Sequence, residues 1–219
     1  ALPCGEAAAT PGAAPASVAG APAVSVARTP RYVVDCTVAP AAGFTLPGLS
    51  RGLIGVVDAG SGVGEALTAS LTGAGIQAEL VDAWRDELAG VVFLGGLAPL
   101  SAANDASALA QQAFLLAQQV VKAQPQAAFV TVQQTGGGFG TTGPVDGHGA
   151  WTAGLTGLVR TLAIEQPSMS AKAIDLERGG RPVSELAEAL ASELLYGGPE
   201  LAVGLTAEGE RLVPTQREI

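Results

Sequence analysis

Apolar residues along this chain fall into short dense runs, separated by stretches in which they recur every three or four positions. Leu53-Ile54-Gly55-Val56-Val57-Asp58, Ile76 to Val81, Val91-Val92-Phe93-Leu94, Ala127 to Val132 and Lys172 to Leu176 are such runs, and each predicts a buried strand. The segments between them carry helical spacing. Ala66, Leu67, Ser70 and Leu71 share one side of a helix that Gly73 and Gly75 end. Ser101 to Lys122 places Phe114, Leu115, Ala117, Gln118 and Val121 at helical intervals. Trp151 to Glu165 aligns Leu155, Leu158, Val159 and Leu162 and stops at Pro167. Val183 to Leu195 sets Leu186, Leu190 and Leu194 inward and Glu185, Glu188 and Glu193 outward, ending at Gly197-Gly198-Pro199. Asp82 to Leu88 is too short for a crossover helix, and Gly136 to Gly149 reads as a glycine-rich loop. Tyr32 to Val38 predicts an edge strand, and Leu201 to Leu205 and Arg211 to Val213 predict short closing strands. Strands alternating with amphipathic helices predict a doubly wound α/β domain, a parallel sheet covered on both faces.

Composition narrows the class. The chain has 219 residues, 48% of them hydrophobic and only 4% aromatic, enough for one domain whose core is built from Ala, Val, Leu and Ile. Its net charge is −9, and its eleven basic residues are scattered, so nucleic acid is excluded as an expected partner. No stretch approaches the roughly 20 apolar residues that span a bilayer. The N-terminus lacks the basic start and hydrophobic block of a signal peptide. A cytoplasmic protein with no membrane partner is the expectation.

Residues 1–30 carry Pro3, Pro11, Pro15, Pro22 and Pro30 among small side chains, with Glu6 and Arg28 as the sole charges. Such a segment predicts a semi-extended interdomain linker. Cys4 and Cys36 read as two thiols in a reducing compartment, and with His148 the single histidine, no metal site is expected.

Chemistry could first appear at the turn after Leu53–Asp58. A glycine-rich turn between strand and helix lets backbone amides approach a pyrophosphate. Gly60, Gly62 and Gly64 are spaced G-x-G-x-G, however, whereas the dinucleotide fingerprint is G-x-G-x-x-G. Asp82, after the second strand of the alternating region, stands where an acidic residue often holds an NAD ribose. Two readings remain open: a degenerate cofactor turn formed by Gly60, Gly62, Gly64 and Asp82, or a tight turn beside a solvated carboxylate.

The segments AAFVTVQQTGGGFG, WTAGLTGLVRTLAIEQP and AKAIDLERGG, within 127–180, closely resemble the short-chain dehydrogenase/reductase pattern. More specifically, the chain from about 31 to 214 resembles the ketoreductase region of type I polyketide synthases and polyunsaturated fatty acid synthases. Its most specific pieces are Val91 to Leu97 and Gly154 to Asp175. In that family a truncated, non-catalytic structural half precedes the catalytic half, and this chain is similar to the former. The fold implied is thus a truncated Rossmann-like sheet. Residues 1–30 resemble the linker after carrier-protein repeats, and residues 215–219 fall where the junction to a downstream catalytic half is implied.

Family members protonate the substrate from a Tyr helped by a Lys four residues later, with a Ser holding the carbonyl. Aligned on Gly157-Leu158, those positions hold Trp151, Leu155 and either Gln134 or Thr135. Indole is no acid at neutral pH and Leu carries no charge, so no catalytic residues are expected in this chain. Tyr32 and Tyr196 lie in other elements, and neither is followed by such a Lys. A His148–Asp146 pair could act as a base, although a loop histidine without a nucleophile is more commonly solvated. Gln111-Gln112 and Gln118-Gln119 fit an outward helix face, and Trp84 and Trp151 fit packing or interface positions. Gly154 and Gly157 lie on the helix that, by resemblance, packs against a partner's counterpart.

The implied role is a brace for an NADPH-dependent β-ketoacyl reductase half, with NADPH in that half rather than here. The implied partners are that half, carrier protein and other synthase domains. Two alternatives remain: a stand-alone NAD(P)-binding short-chain reductase, and a degenerate nucleotide- or acyl-binding module.

Overall fold

The computed structural model describes residues 29–145 and 147–219, apart from the side chain of His148. The expected linker over 1–30, with Cys4, lies almost wholly outside the described residues, as does Asp146. The compact unit runs from Tyr32 to Ile219.

Its chain order is β1 (Tyr32–Val38), β2 (Leu53–Val57), α1 (Gly64–Gly73), β3 (Ala78–Leu80), β4 (Leu88–Gly96), α2 (Ala103–Ala123), β5 (Ala128–Gln133), α3 (Gly147–Thr152), α4 (Gly154–Glu165), β6 (Ser170–Leu176), α5 (Val183–Tyr196), β7 (Ala202–Leu205) and β8 (Arg211–Glu218). One eight-stranded sheet has the order β1-β8-β7-β6-β5-β4-β2-β3. The strands from β2 to β7 run parallel, β8 is antiparallel to β7, and β1 is antiparallel to β8. The sheet is thus mixed rather than wholly parallel, because a tight turn after Leu205 sends the chain straight back beside β7.

Alternation within β4 shows why both faces are covered. Val92 and Leu94 join Leu67, Leu71, Leu186, Leu190 and Leu194, placing α1 and α5 on one face. Val91 and Phe93 join Leu109, Leu116, Val120, Leu155, Val159 and Leu162, placing α2 and α4 on the other. A sheet covered in this way needs strands that are apolar at every position, and β5 is buried along its whole length.

Several elements depart from expectation for local reasons. The single helix predicted over 151–165 is two. α3 already begins at Gly147, and it ends as the Thr152 hydroxyl bonds back to Gly149 O at 2.9 Å. His148 therefore sits in the first turn of α3 and not in the loop. On α2, Phe114 and Leu115 face outward, because Ala106, Leu109, Ala113, Leu116 and Val120 form the stripe on the sheet. β8 continues through Glu218, since Thr215, Gln216, Arg217 and Glu218 pair with β1 residues from Asp35 back to Tyr32. Residues 215–218, where the junction is implied, thus lie within this strand.

Glu193 is not outward but buried. It accepts a 2.6 Å bond from the ammonium of Lys172, itself fully buried on β6, and a 2.8 Å bond from Arg211 at the start of β8. Burial lowers the Lys172 pKa, and Glu193 opposes that shift. A cation inside a central strand needs such a partner, and α5 supplies it.

Candidate functional site

Open α/β sheets bind ligands outside the carboxyl ends of their strands, where the strand order reverses. Here β3 lies on one side of β2 and β4 on the other, so the reversal falls between β2 and β4. A cleft of about 630 Å³ opens there, lined by Gly60 and Ser61 after β2, Gly96 to Leu100 after β4, Gln134 after β5, Gly149 and Thr152 of α3, and Arg178 after β6.

The floor of this cleft is the turn into α1. Ala59, Gly60 and Gly62 adopt left-handed backbone angles, with φ of 47°, 82° and 73°. The turn folds around Asp58. Its Oδ1 accepts from Ser61 Oγ at 2.5 Å, Gly64 N at 2.7 Å and Val63 N at 3.1 Å, and its Oδ2 accepts from Gly62 N at 3.1 Å. Val63 stands at the helix start without a capping side chain, so Asp58 does that work from five residues upstream. Gly64 is required by this closeness, as a Cβ there would meet the Asp58 side chain at 2.8 Å. Burial pushes the Asp58 carboxyl up, but the hydrogen bonds from Ser61, Gly64, Gly62 and Val63 outweigh it and leave the pKa below its usual value.

Arg178 spans the cleft mouth. Its Nη2 donates to Ser61 O at 2.9 Å and to Leu97 O at 3.0 Å, tying the loops after β2 and β4 to the loop after β6.

Beside the cleft lies a second, buried network. Asp175 at the end of β6 accepts from Thr135 N at 2.5 Å, Thr135 Oγ1 at 2.8 Å and Phe139 N at 2.6 Å. Gln133 Nε2 donates to Thr135 Oγ1 at 3.2 Å, and Gln133 Oε1 accepts from the Thr156 amide and hydroxyl. The first turn of α4, which Ala153 leaves without a side-chain cap, thus takes its acceptor from β5. Burial raises the Asp175 pKa, and the bonds from Thr135, Phe139 and Gly138 offset only part of that rise.

These positions sort the residues singled out in the sequence. Gly60 and Gln134 reach the cleft, whereas Gly62, Gly64 and Asp82 are not among its lining residues. Asp82 is exposed beyond β3. The Thr135 hydroxyl is committed to Asp175 and Gln133. Leu155 is buried on α4 against β4, where a Cβ on Gly96 would meet its methyl at 2.7 Å. Trp151 is partly exposed on α3. Tyr32 and Tyr196 are more than half exposed, on β1 and at the end of α5. Cys36 donates from Sγ to Gly138 O at 3.4 Å. Among the described residues, no group of three or more His, Cys, Asp and Glu side chains is placed to hold a metal, and no helix is long and apolar enough to cross a membrane.

The sequence reading missed Asp58, Arg178, Asp175 and Gln133. Asp58 carried a signal, since an aspartate ahead of Gly-Ser-Gly is a capping pattern. Arg178 carried none, because its partners lie 81 and 117 positions away.

The fold class is α/β and Rossmann-like, with helices on both faces of a mostly parallel sheet. More particularly, it is the fold of part of a polyketide synthase ketoreductase. The chain is similar to a C2-type ketoreductase from a modular polyketide synthase, with a TM-score of 0.60 and 22% identity over 86% of this chain. It is similar to an A1-type ketoreductase, with a TM-score of 0.60 and 20% identity over the same share. It also resembles a multidomain structure with adenylation, ketoreductase and pseudo Asub domains from a keto acid-selecting NRPS module, with a TM-score of 0.59 and 14% identity. The chain spans only 44% and 42% of the first two proteins and 18% of the third. No family model and no curated protein matches the sequence.

A nicotinamide dinucleotide, which related reductases suggest, does not fit the residues at this turn. Its pyrophosphate needs free amides at the start of α1, and those amides already bond the Asp58 carboxylate.

Proposed function

We propose that this chain is a non-catalytic structural subdomain that braces the NADPH-dependent β-ketoacyl-reducing half of a type I polyketide or polyunsaturated fatty acid synthase. The observation that carries this reading is the half-length match, in which nearly all of this chain corresponds to less than half of a ketoreductase. Trp151 and Leu155 at the aligned Tyr and Lys positions agree with it. So does the capped turn at Asp58, which leaves a dinucleotide no seat.

The brace has a surface suited to a partner. Phe114 and Leu115 on α2 are about half exposed, and Ile164 on α4 is 79% exposed. Gly154 and Gly157 on α4 have open space where a Cβ would stand, which leaves room for a close helix approach. NADPH would then belong to the partner half, and carrier protein would dock on the assembled synthase.

The test is co-expression of this chain with the reductase half of its own synthase as separate polypeptides. A stable 1:1 complex is expected, with reduction of a β-ketoacyl thioester that falls at least tenfold when this chain is left out. A reductase half that is stable and fully active alone would sink the reading.

A second reading, a degenerate nucleotide- or acyl-binding module, is favoured by one observation. The cleft has about 630 Å³ beside Leu97, Pro99 and Leu100. Saturable thermal stabilisation by an acyl thioester or by NADPH would support it against the first.

A further inference from the structure

The outer two strands join the sheet through little backbone. β8 pairs with β7 only where Gly204 lies opposite Leu212 and Leu205 opposite Arg211, whereas it pairs with β1 from Leu212 to Glu218. Apolar burial adds little, since Leu212 is the one fully buried residue of the two strands. A two-stranded ribbon is marginal when left to its own hydrogen bonds, so another contact must hold it closed. We propose that Arg211 and Glu193 form a buried charge latch that fixes the root of the β1/β8 ribbon to α5, and that the ribbon opens as a unit of its own when this latch is released. The inference does not depend on which partner the chain braces.

Four elements meet in the latch. From the first position of β8, Arg211 Nε donates to Glu193 Oε2 at 2.8 Å and Nη2 to Glu193 Oε1 at 3.2 Å, a two-point grip on one carboxylate. Nη2 also donates to Gly197 O at 3.0 Å, just past the end of α5. Nη1 donates to Ala39 O and Pro40 O, each at 3.3 Å, just after β1. Every N–H of the guanidinium thus has an acceptor. On the inner side, fully buried Lys172 of β6 holds the same carboxylate at 2.6 Å. Gly197 keeps the room for it, because a Cβ there would collide with Glu193 Oε1.

The surroundings allow release. Lys172 and Glu193 are shut away from water, but the Arg211 side chain is 11% exposed. Arg211 and Glu193 line a cleft of about 250 Å³, bordered also by Arg181, Ser192, Thr206 and Glu210, which gives a freed guanidinium a route to solvent. The strap that follows β1, residues 39–52, has an anchor of its own. Leu46 N bonds to Leu194 O, and Leu46 and Leu49 are buried in the core. Release therefore frees the chain before Pro40 and after Arg211 while the parallel strands stay assembled.

Native-state hydrogen exchange on the full chain tests this. Arg211→Lys keeps the charge and can reach one oxygen of Glu193, but it loses the fork that grips Ala39, Pro40 and Gly197. The paired amides of β1 and β8 should then exchange about tenfold faster, the scale of one lost hydrogen bond from a charged donor. Amides of β4 and β5 should keep their native rates. Neutralising Glu193 alone would strand the Lys172 ammonium, so the second variant removes both charges together. Lys172→Met with Glu193→Leu fills the buried place with apolar atoms, an exchange that such sites tolerate. It should speed the ribbon amides by a similar factor. Native ribbon rates in either variant would overturn the inference. An acceleration shared equally by β4 and β5 would overturn it too, since it would report a loss of global stability and no separate ribbon.

Discussion

Two carboxylates at the carboxyl ends of parallel strands, β2 and β6, do similar work in opposite surroundings. Asp58, after β2, gathers the amides that start α1 and is only partly buried. Asp175, at the end of β6, gathers the Thr135 and Phe139 amides and is fully buried. Hydrogen bonding wins at Asp58 and lowers its pKa, whereas burial wins at Asp175 and raises it. Similar donors thus give opposite shifts, and the balance is set by access to water rather than by the number of bonds. The partly buried carboxylate stays charged and caps α1, and the buried one holds two loops together.

The contrast can be broken most severely at Asp175. Asp175→Ala would strand two amides and a hydroxyl in a buried place, at a cost of about 3–5 kcal/mol. Urea unfolding should show the midpoint falling without a change in slope. A loss no larger than that of Asp58→Ala would show that burial does not separate the two sites.

A smaller effect is expected at Arg178, whose guanidinium ties the Asp58 turn to the loops after β4 and β6. Arg178→Ala should cost about 1–2 kcal/mol. Hydrogen exchange should quicken at Ser61 to Gly64 and leave the Thr135 and Phe139 amides protected. Equal loosening of both would mean that the two networks are one cooperative unit.

The smallest effect lies in pH dependence, where the two signs oppose. The folded pKa of Asp58 is depressed, so its contribution is present above the ordinary carboxylate value of 3.8 and is lost as pH falls through the folded value. The folded pKa of Asp175 is raised, so its contribution is present below 3.8 and is lost as pH rises through the folded value. Unfolding free energies measured across pH should therefore lose their acid-side decline in Asp58→Asn. In Asp175→Asn they should lose a decline that runs the other way. Changes of the same sign in both variants would contradict the assigned balance.

The alternating elements were legible because their signals are local. Runs such as Val91 to Leu94 and the leucine spacing of Val183 to Leu195 mark strand and helix without knowledge of neighbours. The antiparallel return of β8 was half legible, since Arg211 to Val213 reads as strand but Thr215 to Glu218 are polar and gain their order from pairing with β1. Glu193 was misplaced because its spacing on α5 says nothing of a lysine buried on β6. The site was less legible than the fold. The glycines drew attention to the turn, yet the residue that determines its chemistry is Asp58, and its role depends on a backbone that curls around its own side chain. Gln133, Thr156, Thr135 and Asp175 likewise meet only once three elements are assembled.

The pairing of β1 with β8 also has a consequence in time. Thr215 bonds to the backbone of Asp35, 180 positions earlier. During synthesis at about 5–20 residues per second, β1 leaves the ribosome on the order of ten to thirty seconds before β8, its partner among the described strands, exists. Through that interval the β8 partner of Tyr32 to Val38 is missing, and chain joining at such distance is slow even when both ends are present. The six parallel strands can assemble first, and the outer ribbon closes last, like a clasp fastened after the rest is in place.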